Sequence, residues 1–206
     1  FGIHITSSMY TGQVGYRSGP IMASADRFEI EVKGKQAHGS RPWSGVDPIV
    51  TAAQIINSVQ TIVSRRVNIT KEPAVVSFGK ISGGVRNNII PDSVQLIGTI
   101  RNFDMGIRQE IFDKLTLTAE KIAESQGASA KVDIYEGYPV TANDPQLMTE
   151  MLPTVNAAAG AENVIEMPKI TGAEDFSFYQ QQVPGVFLFL GGKPKHWTQE
   201  QAPAHH

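Results

Sequence analysis

The stretch Phe28-Glu-Ile-Glu-Val-Lys33 decides the fold. Phe28, Ile30 and Val32 alternate with Glu29, Glu31 and Lys33, so a two-residue period puts three apolar side chains on one face and three charges on the other. That pattern is a half-buried β-strand. Downstream, Asp47-Pro48 offers an N-cap carboxylate and then a proline whose fixed φ suits the first helical position. Ile49, Ala53, Ile56 and Val63 follow at helical spacing and predict an amphipathic helix with that face inward. Two more strands are read over Ala74–Ile81 and Ser93–Arg101, the second with Val94, Leu96 and Ile100 on one face. Asp104 caps a second helix carrying Ile107, Ile111, Leu115 and Ile122, which Gly127 ends. Lys131–Tyr135 completes the series. The order β-α-β-β-α-β is that of the split βαβ, ferredoxin-like unit, expected here over residues 26–136.

Outward from this unit the material changes. Ser18–Ala25 and Gly137–Pro145 read as turn-rich seams. Residues 1–25 and 137–206 then read as parts of an α/β domain that the ferredoxin-like unit interrupts, with this chain holding its C-terminal part. Val186-Phe-Leu-Phe-Leu190, closed by Gly191-Gly192, reads as a fully buried parallel strand. Pro145–Ala158 is helical in pattern, with Pro153 expected to kink or end it, and Glu174–Gln182 predicts a short helix.

Composition excludes several functions. Of 206 residues, 18 are Lys or Arg and 20 Asp or Glu, a net charge of −2 without any run of one sign, which argues against nucleic acid or a membrane surface as partner. No apolar run approaches the ~18–20 residues of a spanning helix. With no cysteine, a disulfide scaffold, a thiolate zinc site and a cysteine nucleophile are all ruled out. There is no Gly-x-Ser-x-Gly elbow, and Gly79, Gly83 and Gly84 lack dinucleotide-binding spacing. The chemistry-bearing residues that remain are the histidines His4, His38, His196, His205 and His206 and the pair Glu174-Asp175.

Motifs ordered along the whole chain carry a resemblance. Phe1-Gly-Ile-His4, Gly15–Phe28, Lys33-Gly-Lys-Gln-Ala-His-Gly-Ser-Arg-Pro42, Gly45-Val-Asp-Pro48, Gly83–Asp92, Gly98–Asp104, Gly172-Ala-Glu-Asp-Phe-Ser-Phe-Tyr179 and Pro184–Gly192 together resemble the amidohydrolase branch of the dinuclear-metal aminoacylase and carboxypeptidase family. That branch includes hippurate hydrolases and plant auxin-conjugate hydrolases. The resemblance implies a metal-binding α/β domain interrupted by a ferredoxin-like lid that mediates homodimerisation, and hydrolysis of the amide bond of N-acyl or N-aroyl amino acids. Two divalent ions are implied, zinc first, with manganese, cobalt or nickel as alternatives.

By residue, the resemblance implies metal ligation by His4 and His205, the latter preferred over His206. It assigns His38 to the oxyanion of a partner subunit's active site, and Asn88 and Arg101 to the substrate carboxylate, with Arg86 a weaker candidate. Gly172 would allow backbone to approach the substrate, and Glu174 and Asp175 would support the site's loops. The family's bridging carboxylate, its other ligands and its Glu-Glu general base match nothing in this chain, and Trp43 stands where a second lid histidine is frequent. Two readings compete: a non-catalytic ferredoxin-like dimerisation or small-ligand-binding module, and a metallo-carboxypeptidase or desuccinylase. On the amidohydrolase reading, the chain by itself should bind zinc weakly and leave hippurate and acetyl-amino acids intact. Metal-dependent turnover by the purified chain would contradict the placing of the general base outside it.

Overall fold

The computed structural model describes residues 1–201. The chain begins with β1 (Gly2–Tyr10), β2 (Val14–Tyr16) and β3 (Gly19–Met22). There follow β4 (Ala25–Lys33), β5 (Ala37–His38), α1 (Pro48–Thr61), β6 (Ala74–Gly83), β7 (Ile89–Ile90), β8 (Ser93–Asn102), α2 (Met105–Ser125) and β9 (Ser129–Tyr138). The last elements are β10 (Thr141–Asn143), α3 (Pro145–Ala159), β11 (Val164–Glu166), α4 (Phe176–Gln180) and β12 (Phe187–Lys193). Two compact units result: Ala25–Gly137, and Phe1–Ser24 together with the chain from Tyr138 onward.

In the first of these units the sheet order is β6-β8-β4-β9, the ferredoxin-like arrangement, with β8 antiparallel to both β4 and β6. Phe28, Ile30, Val32, Val94, Leu96 and Ile100 pack beneath Ile55, Val59, Ile107, Ile111 and Leu115 of the helices. Burying a side chain of this size contributes about 1.5–3 kcal/mol, so this layer dominates the unit's stability. Gly98 sits in register with both Phe28 and Phe78. Their rings meet edge to face at 5.1 Å, in space that a Cβ on Gly98 would enter, 2.2 Å from the Phe28 ring. Both helix starts are capped as the sequence implies: Asp47 accepts from the N–H of Ile49 at 2.8 Å and Asp104 from that of Ile107 at 2.8 Å. Gly127, at φ 74°, closes α2 in the left-handed conformation.

The phase of α1 differs in part from the sequence expectation: Ile56 and Val63 pack against the core, but the other two residues of that face do not. Ile49 is 43% exposed and Ala53 faces solvent, while Thr51, Ala52, Ile55, Val59 and Ile62 are buried. Two adjacent apolar stripes run along this helix, and the one chosen tolerates Thr51 because its hydroxyl donates to the Asp47 carbonyl at 2.8 Å.

The second unit holds a mixed sheet ordered β1-β12-β2-β11. β12 is parallel to β1 but antiparallel to β2, and Leu190 is 41% exposed, so the strand is neither wholly parallel nor wholly buried. The seams are not only turns: β3 and β10 lie within them and pair antiparallel, with Ile21 fully buried. Helix α3 continues through Pro153 to Ala159. Pro153 and Thr149 both face solvent, where the Thr149 carbonyl that lost its donor can be hydrated, while Met148 and Val155 hold the turns on either side against Val186 and Leu188. A buried carboxamide ties the elements together. Asn143 accepts from the N–H of Phe187 at 2.6 Å and donates to the carbonyls of Phe187 and Arg17 at 2.9 and 2.8 Å.

One arginine fastens both ends of the ferredoxin-like unit. Arg108 of α2 is 5% exposed and forks onto Asp26 of β4, 3% exposed, at 3.0 and 2.5 Å. Its remaining amino group donates to Glu136 of β9 at 2.9 Å, and the N–H of Gly137 donates to Asp26 at 3.1 Å. The hydrogen bond to Asp26 is the main cause raising the Arg108 guanidinium above its ordinary value, against burial, which lowers it. Removing one partner strands a buried charge. Arg108→Met and Asp26→Asn should therefore each cost about 3–5 kcal/mol in urea unfolding. The double variant should lose less than the sum of the two; strict additivity would contradict this account.

Candidate active-site residues

Strand alternation aims His4 to one side of β1, with Gly2 and Thr6, while Ile3 and Ile5 face the other way, 67% and 53% exposed. The ring lies 5.8 Å from the Phe189 ring and 6.3 Å from that of Phe187, and pairs in register with Phe189. Its Nδ1 is 2.7 Å from Glu174 Oε2. Glu174 is itself fixed: its other oxygen accepts from the N–H of Asp175 at 3.0 Å, and its carbonyl accepts from the Ser177 hydroxyl at 2.6 Å. A carboxylate only accepts, so Nδ1 carries a hydrogen, and in the neutral ring the lone pair is on Nε2. A neutral imidazole oriented by a carboxylate is the form in which histidine ligates divalent ions, so His4 with Glu174 fits such an ion.

The described residues bring together no group of three or more histidines and carboxylates able to hold a metal. His205 and His206 lie outside the described residues. Gly172 is exposed, and its carbonyl accepts from the N–H of Ala23 at 2.9 Å. A Cβ there would meet the end of the Met22 side chain at 3.2 Å and Ile170 Cγ2 at 3.7 Å.

In the ferredoxin-like unit, the ladder between β4 and β8 does not stop where the sheet does. Lys33 pairs with Ser93, the N–H of Gly34 donates to the Asp92 carbonyl at 2.8 Å, Ala37 pairs with Ile90 and His38 with Ile89. The N–H of Gly39 then donates to the Asn88 carbonyl at 2.8 Å. The result is a ribbon that runs off the sheet and carries His38 and, one residue further on the opposite strand, Asn88 near its tip. Both are exposed, as is Trp43 at 80% in the one-turn helix Pro42–Ser44 beside them in the chain. The His38 ring is held at Nδ1, which accepts from the N–H of Ser40 at 3.1 Å, with the Ser40 hydroxyl 2.7 Å away.

Arg101 is elsewhere. It occupies the other end of β8, eight residues beyond Ser93, which is about 26 Å of extended strand. It sits opposite Val75, on the face turned away from Ile100 and the helices. It is half-buried, and among the described residues its guanidinium makes no hydrogen bond or ion pair. Asn88 and Arg101 are therefore not neighbours within one chain. Two pairings escaped residue-by-residue reading. Glu174 is 170 positions from His4, beyond any local spacing rule, and Ser40 is a common residue whose contact with His38 exists only in the folded turn.

A family model described as the peptidase dimerisation domain of M20 matches residues 24–127. The chain belongs to the M20 family. It is 38% identical over 192 residues to thermostable carboxypeptidase 2 of Saccharolobus solfataricus, covering 93% of this chain and 48% of that protein. It is 37% identical over 195 residues to the N-acetyl-L-cysteine deacetylase of Bacillus subtilis, covering 95% of this chain and 46% of that protein. The crystal structure of a dinuclear metal-binding M20 peptidase from Bacillus subtilis superposes with a TM-score of 0.74 at 32% identity, over 96% of this chain and 49% of that one. The chain thus spans about half the length of the relatives it matches.

The His4–Glu174 pair gives a testable consequence. In a complete M20 protein carrying this chain, Glu174→Ala should weaken zinc binding about 10–100-fold in chelator competition, the usual effect of losing a ligand's supporting carboxylate. Glu174→Gln, whose amide oxygen can still accept from Nδ1, should retain most of the affinity. Unchanged affinity in Glu174→Ala would remove Glu174 from the site.

Proposed function

We propose that this chain is the lid-bearing, C-terminal half of a homodimeric two-metal amidohydrolase that cleaves the amide bond of N-acyl amino acids, with residues 26–136 as the lid. Divalent ions, zinc first and manganese, cobalt or nickel as alternatives, would when bound polarise the amide carbonyl and lower the pKa of a shared water. His4 offers one imidazole for them, oriented by Glu174, and His205 is proposed as another. Gly172 is proposed to leave room for the substrate beside the Glu174 turn. His38 would donate an N–H to the oxygen that gains charge as the amide carbonyl is attacked. Asn88, opposite Gly39 on the same ribbon, would add a neutral donor without a second charge to desolvate.

The observation that carries the reading is Arg101: a half-buried guanidinium, with no protein partner among the described residues, on the face of the sheet away from its core. Its planar fork matches a carboxylate, and a carboxylate next to the scissile amide is what separates an N-acyl amino acid from an ordinary amide. The distance along β8 then dictates the assembly. If His38, Asn88 and Arg101 all address one substrate, the first two must come from one subunit and Arg101 from the other. The sheet edge β6, with Val75 38% and Ile81 56% exposed, is the surface proposed for pairing the subunits. A peptide's C-terminal residue presents the same amide and carboxylate, so a carboxypeptidase reading shares this geometry and differs only in the acyl side.

Arg101 also supplies the test. Arg101→Ala in the complete enzyme should cost roughly 2–4 kcal/mol in kcat/KM on an N-acyl amino acid, the scale of truncating one side of a desolvated charge pair. The loss should largely vanish on the corresponding carboxamide. Equal losses on acid and amide would mean that Arg101 holds structure and does not read the substrate.

A further inference from the structure

We infer that Ser40 is a positioning residue that sets the tautomer of His38, presenting its Nε2–H as a hydrogen-bond donor at the tip of the ribbon. The inference rests on the reading of His38 as an oxyanion donor, and adds the group that makes the ring able to act as one.

A neutral imidazole has one N–H donor and one acceptor nitrogen, and only the donor nitrogen can stabilise a developing negative charge. Which nitrogen that is depends on the partner of the other. At His38 the partner is unambiguous, because a backbone N–H can only donate. The Ser40 amide lies 3.1 Å from Nδ1 and requires a lone pair there. The Ser40 hydroxyl, 2.7 Å from the same nitrogen, then also donates to it. With Nδ1 doubly solicited as acceptor, the ring hydrogen belongs on Nε2, the atom farthest from the backbone.

The turn that makes this contact is fixed on three sides. The His38 carbonyl accepts from the N–H of Arg41 at 2.8 Å, closing the turn His38–Arg41. His38 pairs with Ile89 across the ribbon, and Gly39 bonds to Asn88. Pro42, the first residue of the one-turn helix that follows, restricts Arg41 as well. The imidazole is exposed, so water competes for both of its nitrogens. A local donor pair attached two residues away is what can hold the tautomer under those conditions. The arrangement is opposite in sense to that of His4, where a carboxylate draws a hydrogen onto Nδ1.

The test is long-range ¹H–¹⁵N correlation NMR of the ¹⁵N-labelled chain, at a pH where the ring is neutral, with the His38 signals assigned by their loss in His38→Gln. The wild type should show the hydrogen on Nε2. Ser40→Ala should shift the ring measurably toward the Nδ1–H form, and Ser40→Thr, which keeps the hydroxyl, should restore the wild-type pattern. Hydrogen on Nδ1 in the wild type, or a Ser40→Ala spectrum identical to it, overturns the inference. The catalytic half is read in the complete enzyme. Ser40→Ala should lower kcat about 3–10-fold at nearly unchanged KM, the scale of one hydrogen bond lost, and should add nothing in a His38→Ala background. If the tautomer shifts as expected but His38→Ala leaves turnover intact, Ser40 still sets the tautomer and the oxyanion reading of His38 is what fails.

Discussion

The length of one strand constrains everything proposed here. β8 holds Arg101 at one end, and at the other it feeds the ribbon whose tip carries His38 and Asn88. Extended backbone cannot be shortened: eight residues at about 3.3 Å each keep the two ends apart, whatever the side chains do. The burial of Val94, Leu96 and Ile100 against the helices fixes the register, and a slip by one residue would turn Arg101 into the core. The same pattern that makes the sheet fold thus decides where its functional candidates stand. A small substrate cannot touch both ends of one lid. A dimer with a two-fold axis can bring the tip of one lid to the far end of another, which is why an inserted dimerisation unit and a substrate-reading arginine belong to the same proposal.

Within that frame, the neighbours of Nδ1 assign the histidines their chemistry. His4 is half-buried among Phe187, Phe189 and Glu174; a carboxylate that is itself anchored fixes the ring in the orientation that the proposed ligation needs. His38 stands in solvent, where backbone and hydroxyl donors from Ser40 hold Nδ1, as the proposed donation from Nε2 requires. Neither role follows from histidine alone. Each depends on a second residue whose contact forms only on folding, and each can be changed by replacing that residue while leaving the imidazole in place.

Much of the fold was legible because its signals are local. The alternation in β4 and β8, the caps at Asp47 and Asp104 and the glycine at 127 each act within a few residues, and the βαββαβ order follows from reading them in sequence. What was not legible depends on competition or on distance. α1 carries two apolar stripes, and only packing against the sheet chooses between them. The seams look like turns because Gly19, Pro20 and Asp144-Pro145 are turn residues, yet each supplies a strand to the other once both chain ends of the inserted unit run side by side. Pro153 reads as a helix breaker because the rule ignores where the orphaned carbonyl points. The separation of Asn88 from Arg101 is hidden for another reason: thirteen residues is a short interval in sequence, and only the straightness of β8 turns it into opposite ends of a sheet.

The central claim is that one active site draws on both lids, and mixing two impaired variants of the complete enzyme measures it most directly. In a heterodimer of Arg101→Ala and His38→Ala subunits, one site would lack both groups, while the other would receive an intact Arg101 from one chain and an intact His38 from its partner. Hydrolysis of an N-acyl amino acid should therefore return, on mixing, to about one wild-type site per heterodimer. If heterodimers form and turnover stays at the level of the separate variants, His38 and Arg101 do not meet across the dimer, and the account is wrong.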